Sequence, residues 1–380
     1  MGRWRRGICA VAGAALFCGA PTSLAAAPAL AAITTVGGVT PLSGGDGWLV
    51  WSAPVSDAWV LMGFHDGQVV KLPVASRPQP FDATVGTDAR GAPVVVFSRC
   101  RRTPRMVLPD GESQAGGTLL EAQTGAGCRI RMLGLDGGGE TAVPIPAARM
   151  VSDTTPSIWR GAVTFARRAP GHGNVWQVMS WSPRAPRRLE TLPHGRVPSC
   201  PQDRHGCRRP AHGVVEALDR DRRLVTFVWA VEGQGVVGEG AWEVRVDRAS
   251  GSGDALAQGG FGHEACTSQG PGLEYVWPEP PIAAGSQALF PDLYAYDCFH
   301  RYASVLGSHG TAPGDARIGK LASVALAVAD DDGQLYGLVP SVLFGGSDVP
   351  LCSASAPCAI EPLAAPRMRR QAKPPFVPFR

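Results

Sequence analysis

The sequence predicts an all-β fold: a β-propeller of about six four-stranded blades, with five or seven blades as the alternatives. Three observations lead there. Short β-branched or aromatic runs recur along the whole chain. The 48 Gly and 34 Pro punctuate it so densely that long amphipathic helices find no room. Asp-Gly pairs and single glycines stand where hairpins need them.

Each run is followed by a variable loop and a second run of alternating apolar residues. The first runs are Gly47–Trp51, Pro93–Phe97, Ala162–Ala166 and Leu224–Val228, with weaker copies at Ala288–Phe290 and Val324–Val328. Second runs are Trp59–Met62, Cys128–Met132, Val175–Val178, Trp242–Val246 and Gln334–Tyr336. First runs start mostly 40 to 70 residues apart, enough for a four-stranded sheet with variable loops. One such sheet cannot bury both its faces. A ring of them can, and it also protects most edges. Asp66-Gly67, Asp136-Gly137 and Asp332-Gly333 supply the positive φ of tight hairpins, while Gly47, Gly91 and Gly161 precede first runs. A two-sheet sandwich also uses short strands, but it needs only about 100 residues.

Ahead of the repeats stand Arg3, Arg5 and Arg6, an apolar stretch from Ile8 to about Ala20, and small residues around Ala25–Ala31. That order is a secretory signal peptide, expected over 1–31, with a mature start between Ala26 and Ile33. Cys18 follows Phe17, which argues against lipidation there. The propeller domain is expected over 40–363 and a basic, proline-rich, disordered tail over 364–380.

Ten cysteines are present, and Cys9 and Cys18 fall in the signal. The remaining eight suit disulfides in an exported, extracellular protein. Sequential pairing is expected: Cys100–Cys128, Cys200–Cys207, Cys266–Cys298 and Cys352–Cys358. The net charge is +4. Without the three signal arginines it is +1, and without the five basic residues of 367–380 the body stands at −4. A nucleic-acid binder needs a basic folded face, so no nucleic-acid partner is expected. The apolar stretch is too short for a membrane span, and a monomer is expected.

The strings RGAPVVVFSRC…CRIRMLGLDGG and PSIWRGAVTFARR…NVWQVMSWSP resemble blades of TolB-like and WD40-like propellers, over roughly residues 82–140 and 155–192. The Ser-Pro-Asp-Gly turn of the first family and the Gly-His and Trp-Asp dipeptides of the second are absent. The composition, rich in Ala, Gly, Arg and Pro, resembles that of exported actinobacterial proteins. The resemblance implies architecture and carries no activity with it.

No G-x-S-x-G elbow and no H-E-x-x-H helix occurs. Cys200–Cys207 with His205, and His263 with Cys266, read as disulfide cysteines rather than zinc ligands. Asp330-Asp331-Asp332-Gly333 reads as a solvated turn; a calcium loop would need further ligands that do not follow, so no cofactor is expected. Trp48, Trp51, Trp59, Trp159, Trp176, Trp181, Trp229 and Trp242 read mainly as packing between sheets, and Trp277 as a surface-loop residue. The functional expectation is a non-enzymatic propeller binding a protein, peptide or cell-wall glycan through loops at one face. The alternative is a lyase, lactonase or hydrolase with its catalytic residues in a central channel. Three or more Asp, Glu or His side chains converging in that channel would favour the enzyme.

Overall fold

Among the described residues, four hairpins turn on a residue pair with both φ angles positive: Asp46-Gly47, Asp66-Gly67, Arg160-Gly161 and Asp332-Gly333. Two-residue turns of this hand match the right-handed twist of the strands they join, which makes the adjoining strands antiparallel neighbours. The computed structural model describes residues 31–101, 127–146, 151–168, 176–196, 213–221, 224–232, 240–248, 253–261, 273–278, 282–284, 287–296, 301–309, 316–321, 323–341 and 352–371. The expected signal segment lies outside them.

Among the described residues all the regular structure is β. Strand β1 (Thr34–Val36) precedes sheet one, formed by β2 (Leu42–Gly45), β3 (Trp48–Val55), β4 (Ala58–His65) and β5 (Gln68–Lys71). Sheet two is β6 (Thr84–Thr87), β7 (Pro93–Arg99), β8 (Arg129–Gly134) and β9 (Glu140–Ala142). Sheet three is β10 (Ser152–Trp159), β11 (Ala162–Arg168), β12 (Trp176–Trp181) and β13 (Leu189–Arg196). Sheet four is β14 (Gly213–Asp221), β15 (Leu224–Glu232), β16 (Gly240–Arg248) and β17 (Gly253–Phe261). Sheet five holds β18 (Leu273–Pro278), β19 (Ile282–Ala284), β20 (Gln287–Tyr296), β21 (Arg301–His309) and β22 (Ala316–Lys320). Sheet six holds β23 (Val328–Asp331), β24 (Gln334–Pro340) and β25 (Cys358–Pro362), and β1 completes it by pairing with β25. A last strand, β26 (Arg369–Gln371), pairs with β22 in sheet five.

Val94–Phe97, Val163–Phe165 and Leu224–Val228 therefore lie in three separate sheets, which excludes the single sandwich. The first runs in sheets one to five fall in the second strand of the sheet, β3, β7, β11, β15 and β20, whereas Val324–Val328 runs into β23, the end strand of sheet six. Sheet five is six-stranded, because β18 and β19 both pair with β20, the sequence between them holding Pro280 and Pro281, which cannot donate to a ladder, and because β26 pairs with β22. Trp277 lies in β18 rather than in a loop, opposite Leu293. The fold begins by Thr34 rather than 40, and Arg369–Gln371 form a strand within the stretch expected to be a disordered tail.

Because successive residues of a strand face opposite ways, a strand between two sheets is buried on both sides. Strand β7 shows this. Val95 and Phe97 pack with Trp48, Val50 and Leu61 of sheet one, while Val94 and Val96 pack with Val163 and Phe165 of sheet three. Ala166, Trp176 and Val178 of sheet three meet Val215 and Val225 of sheet four. Ile282 and Leu289 of sheet five meet Val328 and Leu335 of sheet six. Leu42, Leu49 and Trp51 of sheet one meet Leu338 and Ile360 of sheet six. Each fully buried side chain of this kind contributes about 1.5–3 kcal/mol.

The foremost strands contact one another in turn: β2 with β6, β6 with β10, β10 with β14, β14 with β19, β19 with β23, and β23 with β2. Glycines allow the approach. A Cβ on Gly44 would stand 2.6 Å from the Asp330 carbonyl oxygen, and one on Gly86 would fall on the Ile158 carbonyl oxygen. Disulfides Cys100–Cys128 and Cys352–Cys358 are formed as expected. The pairs Cys200–Cys207 and Cys266–Cys298 lie outside the described residues.

Gly86→Ala is expected to destabilise the protein by about 3 kcal/mol or more, since backbone rather than a flexible side chain must move. Gly139→Ala, with open space around it and no positive φ, is expected to stay within about 0.5 kcal/mol. Chemical denaturation of both variants checks the contrast.

Candidate functional site

The foremost strands and the hairpins that follow them surround a cleft of about 420 Å³. Asp46 comes from the β2–β3 turn, Thr87 from the end of β6, and Arg160 from the β10–β11 turn with Trp159 beside it. Asp219, Arg220 and Asp221 end β14, Ala283 lies in β19, and Asp330 and Asp332 sit at the β23–β24 turn. Asp46, Arg160 and Asp332 hold the same place in three sheets: each is the left-handed residue just before the turn glycine.

Backbone and side-chain hydrogen bonds fix these tips to their neighbours. Gly47 N–H donates to Asp331 Oδ1 at 2.9 Å, joining sheet one to sheet six. Gly161 N–H donates to the Thr87 carbonyl at 2.8 Å, and Arg160 N–H to Thr87 Oγ1 at 3.2 Å, joining sheet three to sheet two. Val85 N–H donates to Ser43 Oγ at 2.9 Å between sheets two and one. The site is thus rigid at its base, as a preformed ligand site must be.

Asp219 joins three sheets. Its Oδ1 accepts from Ser157 Oγ at 2.9 Å and from Arg220 N–H at 2.8 Å, and its Oδ2 accepts from Ala283 N–H at 2.8 Å. Those bonds favour the carboxylate, but burial outweighs them and pushes the carboxyl up to about 6. Burial also raises Asp46 and Asp330, and the neighbouring Asp332, Asp331 and Asp221 charges raise both further. Asp331 is raised by burial and then by Asp332. The acids therefore repel one another across the cleft. Two cations stand among them. The Arg160 guanidinium lies 5.1 Å from the Trp159 ring centroid. Arg220 donates through Nη1 to Thr164 Oγ1 at 2.8 Å and Ser180 Oγ at 3.3 Å, and its buried Nε has no hydrogen-bond partner. Burial lowers its pKa.

Among the described residues, no three His, Cys, Asp or Glu side chains stand close enough to hold a metal ion. No helix of the described residues is long and apolar enough to cross a membrane. The Asp330–Gly333 turn joins β23 to β24, as the turn reading expected, but it also supplies two cleft carboxylates. Trp48, Trp51, Trp176 and Trp181 are buried between sheets, whereas Trp59 and Trp159 are half-buried. The cysteine and histidine segments 200–207 and 263–266 lie outside the described residues. Sequence reasoning missed Asp46, Arg160, Asp219 and Asp221. The polar residue before the glycine that opens a first run was the available signal for the first two.

The chain matches no known protein family, and no curated protein is similar to it. It is similar to solved structures at low identity. A PL25 polysaccharide lyase, an ulvan lyase, shares 10% identity at TM-score 0.40, covering 83% of this chain and 84% of that one. The β-propeller domain of the trilobed protease from Pyrococcus furiosus shares 8% at TM-score 0.36, covering 92% and 99%. A chain of a nidogen/laminin complex shares 10% at TM-score 0.31, covering 70% and 78%.

The raised carboxyl of Asp219 gives a signed expectation. Its folded value lies above the ordinary 3.8, so the native state takes up its proton first. The stability it contributes is complete below about 3.8 and is lost as pH rises through about 6. Thermal unfolding from pH 7 to pH 5 should therefore show a rise in stability from this group, and Asp219→Asn should lack that rise.

Proposed function

We propose that the six sheets are the blades of one closed propeller, and that the protein is exported and non-enzymatic. In this reading it binds a cationic side chain of a protein or peptide in the cleft. The observation that carries it is the set of five aspartates, Asp46, Asp219, Asp221, Asp330 and Asp332, around a cavity that also presents Trp159. Burial, and then the charges of the neighbouring acids, raise the carboxyls of Asp46 and Asp330, and an incoming cation relieves that repulsion. The cavity has the dimensions of a small-ligand pocket. The guanidinium of Arg160 beside the Trp159 ring is an internal example of the contact such a ligand would make.

Two features support the ring. Each foremost strand meets the next, with β2 against β23, and β1 joins the last sheet by pairing with β25. Export is supported by the leader pattern and by the two disulfides. Of the three ligand classes expected from sequence, a basic peptide suits carboxylates better than a neutral glycan does. The same five aspartates meet the condition stated above for the enzymatic alternative, three or more acids converging, and that alternative would use Asp219 as its acid. Its two oxygens already accept three hydrogen bonds within the fold, which suits a staple better than a proton donor.

The test is titration with a short Arg-Gly peptide and with its Glu-Gly counterpart. The arginine peptide is expected to bind, to weaken about tenfold in Asp46→Asn/Asp332→Asn, and to weaken as salt rises or pH falls below about 6, where Asp219 loses its charge. Equal binding of the two peptides contradicts the proposal. Chemical conversion of the ligand would restore the enzymatic reading.

A further inference from the structure

We propose that the ligand of the cleft is dipolar: a C-terminal arginine or lysine of a peptide or protein, with its side-chain cation on Asp46 and Asp332 and its free carboxylate on Arg160. This assignment rests on the cation reading of the same cleft and adds the group at the ligand's other end. A cation alone leaves part of the rim unexplained. Asp46, Arg160 and Asp332 are all exposed, and each stands directly before a turn glycine. Among the described residues, none of the three side chains makes a hydrogen bond or an ion pair, and the Arg160 guanidinium touches only the Trp159 ring.

The signs of charge are separated around the cleft. Foremost strands touch in the order β23, β2, β6, β10. Asp330 and Asp332 come with sheet six and Asp46 with sheet one, which are neighbours. Sheet two brings Val85, Gly86 and Thr87 and no charge, and Arg160 comes with sheet three beyond it. An uncharged sheet therefore lies between the cation and these acids. Sheet four brings both signs. Asp219 there is occupied by three hydrogen bonds within the fold. The charge of Asp221 acts on the acid side, where it raises Asp46 and Asp330. Arg220 acts on the other side: its Nη1 donates to Thr164 Oγ1 and Ser180 Oγ of sheet three, and its buried Nε has no hydrogen-bond partner.

A ligand that satisfies both sides carries a cation and an anion a fixed distance apart. A sphere of the cleft's 420 Å³ is about 9 Å across, within the size of small-ligand sites. In an extended arginine or lysine the cationic group lies about 7 Å from the carboxylate carbon. One such residue spans the cleft from the acids to Arg160. The guanidinium of Arg160 is planar and can hold a carboxylate through two parallel N–H donors. An internal arginine, or one ending in an amide, gives Arg160 no anion and meets its repulsion instead. The C-terminal carboxylate is thus the feature that turns the one exposed cation of these three turns from an obstacle into a contact.

The test titrates the full chain with acetyl-Gly-Gly-Arg as the free acid, the same peptide as its amide, acetyl-Gly-Gly-Glu-amide, and free arginine. The acid is expected to bind about fivefold more tightly than the amide, and the amide more tightly than the glutamate peptide. Free arginine is expected to bind more weakly than the acid peptide, because its α-ammonium stands next to the carboxylate at Arg160. Arg160→Asp gives sheet three the Asp-Gly turn that sheets one and six already use, so the hairpin is kept. That variant should reverse the preference and bind the amide more tightly than the acid, whereas Arg160→Lys should keep the preference for the acid. Equal binding of acid and amide, both tighter than the glutamate peptide, overturns this proposal and leaves the cation reading standing. Failure of both arginine peptides to bind overturns the two together. An unchanged preference for the acid in Arg160→Asp removes Arg160 from the site. Free arginine binding as tightly as the acid peptide overturns the peptide terminus as the ligand's source.

Discussion

The foremost strands approach each other at backbone distance, and much of the rest follows from that approach. At Gly44 and Gly86 the neighbouring carbonyls stand where a side chain would otherwise begin. Sheets held this close at one end cannot bring large residues there. Their bulky positions, Trp48, Phe97, Phe165 and Trp181 among them, lie further out, in the spaces between sheets. Polar side chains then take over the inner contacts. Ser43, Ser157, Asp219 and Asp331 each accept a backbone N–H from an adjacent sheet. A buried acceptor without its donor would cost about 1–3 kcal/mol, so these bonds fix the sheets' relative height as well as their spacing.

The same constraint produces the cleft. Tight left-handed turns favour aspartate, asparagine and glycine. Wherever the inner hairpin uses Asp-Gly, a carboxylate arrives at the shared rim, as at Asp46 and Asp332. Arg160 occupies the corresponding turn of sheet three and brings a cation there instead. Turn chemistry and site chemistry are thus the same residues. Asp219 differs from them: it sits within a strand, knits three sheets together, and keeps its proton up to about pH 6 because burial outweighs its donors.

The fold was legible in the sequence to the extent that period-two runs and turn glycines reveal it. Pro93–Phe97 and Ala162–Ala166 read correctly as core strands because each is buried on both faces. The strands ahead of them were not legible. Leu42–Gly45 and Thr84–Thr87 are four residues long and rich in glycine and threonine, since close backbone approach excludes the bulk that marks a strand. Val324–Val328 misled for the opposite reason: only Val328 belongs to β23, and the apolar residues before it fill the core as a connection. The tail misled because its arginines and prolines suggest a solvated chain, whereas Pro366 and Met368 pack over Gly319, a contact that composition conceals. Of the cleft carboxylates, only Asp330 and Asp332 were singled out, in the Asp330–Gly333 turn. Residues gathered from six sheets share no linear motif.

Joining the two ends of the chain in one sheet is the step on which a closed arrangement depends. Ile33 N–H donates to the Ile360 carbonyl at 2.8 Å, and Val36 stands opposite Cys358. Hydrogen exchange at Thr34–Val36 measures that step most directly. If β1 locks the last sheet, its ladder amides open only with global unfolding and exchange as slowly as those of β24. Exchange at β1 as fast as at a frayed terminus, while β24 stays protected, would contradict the proposed closed ring.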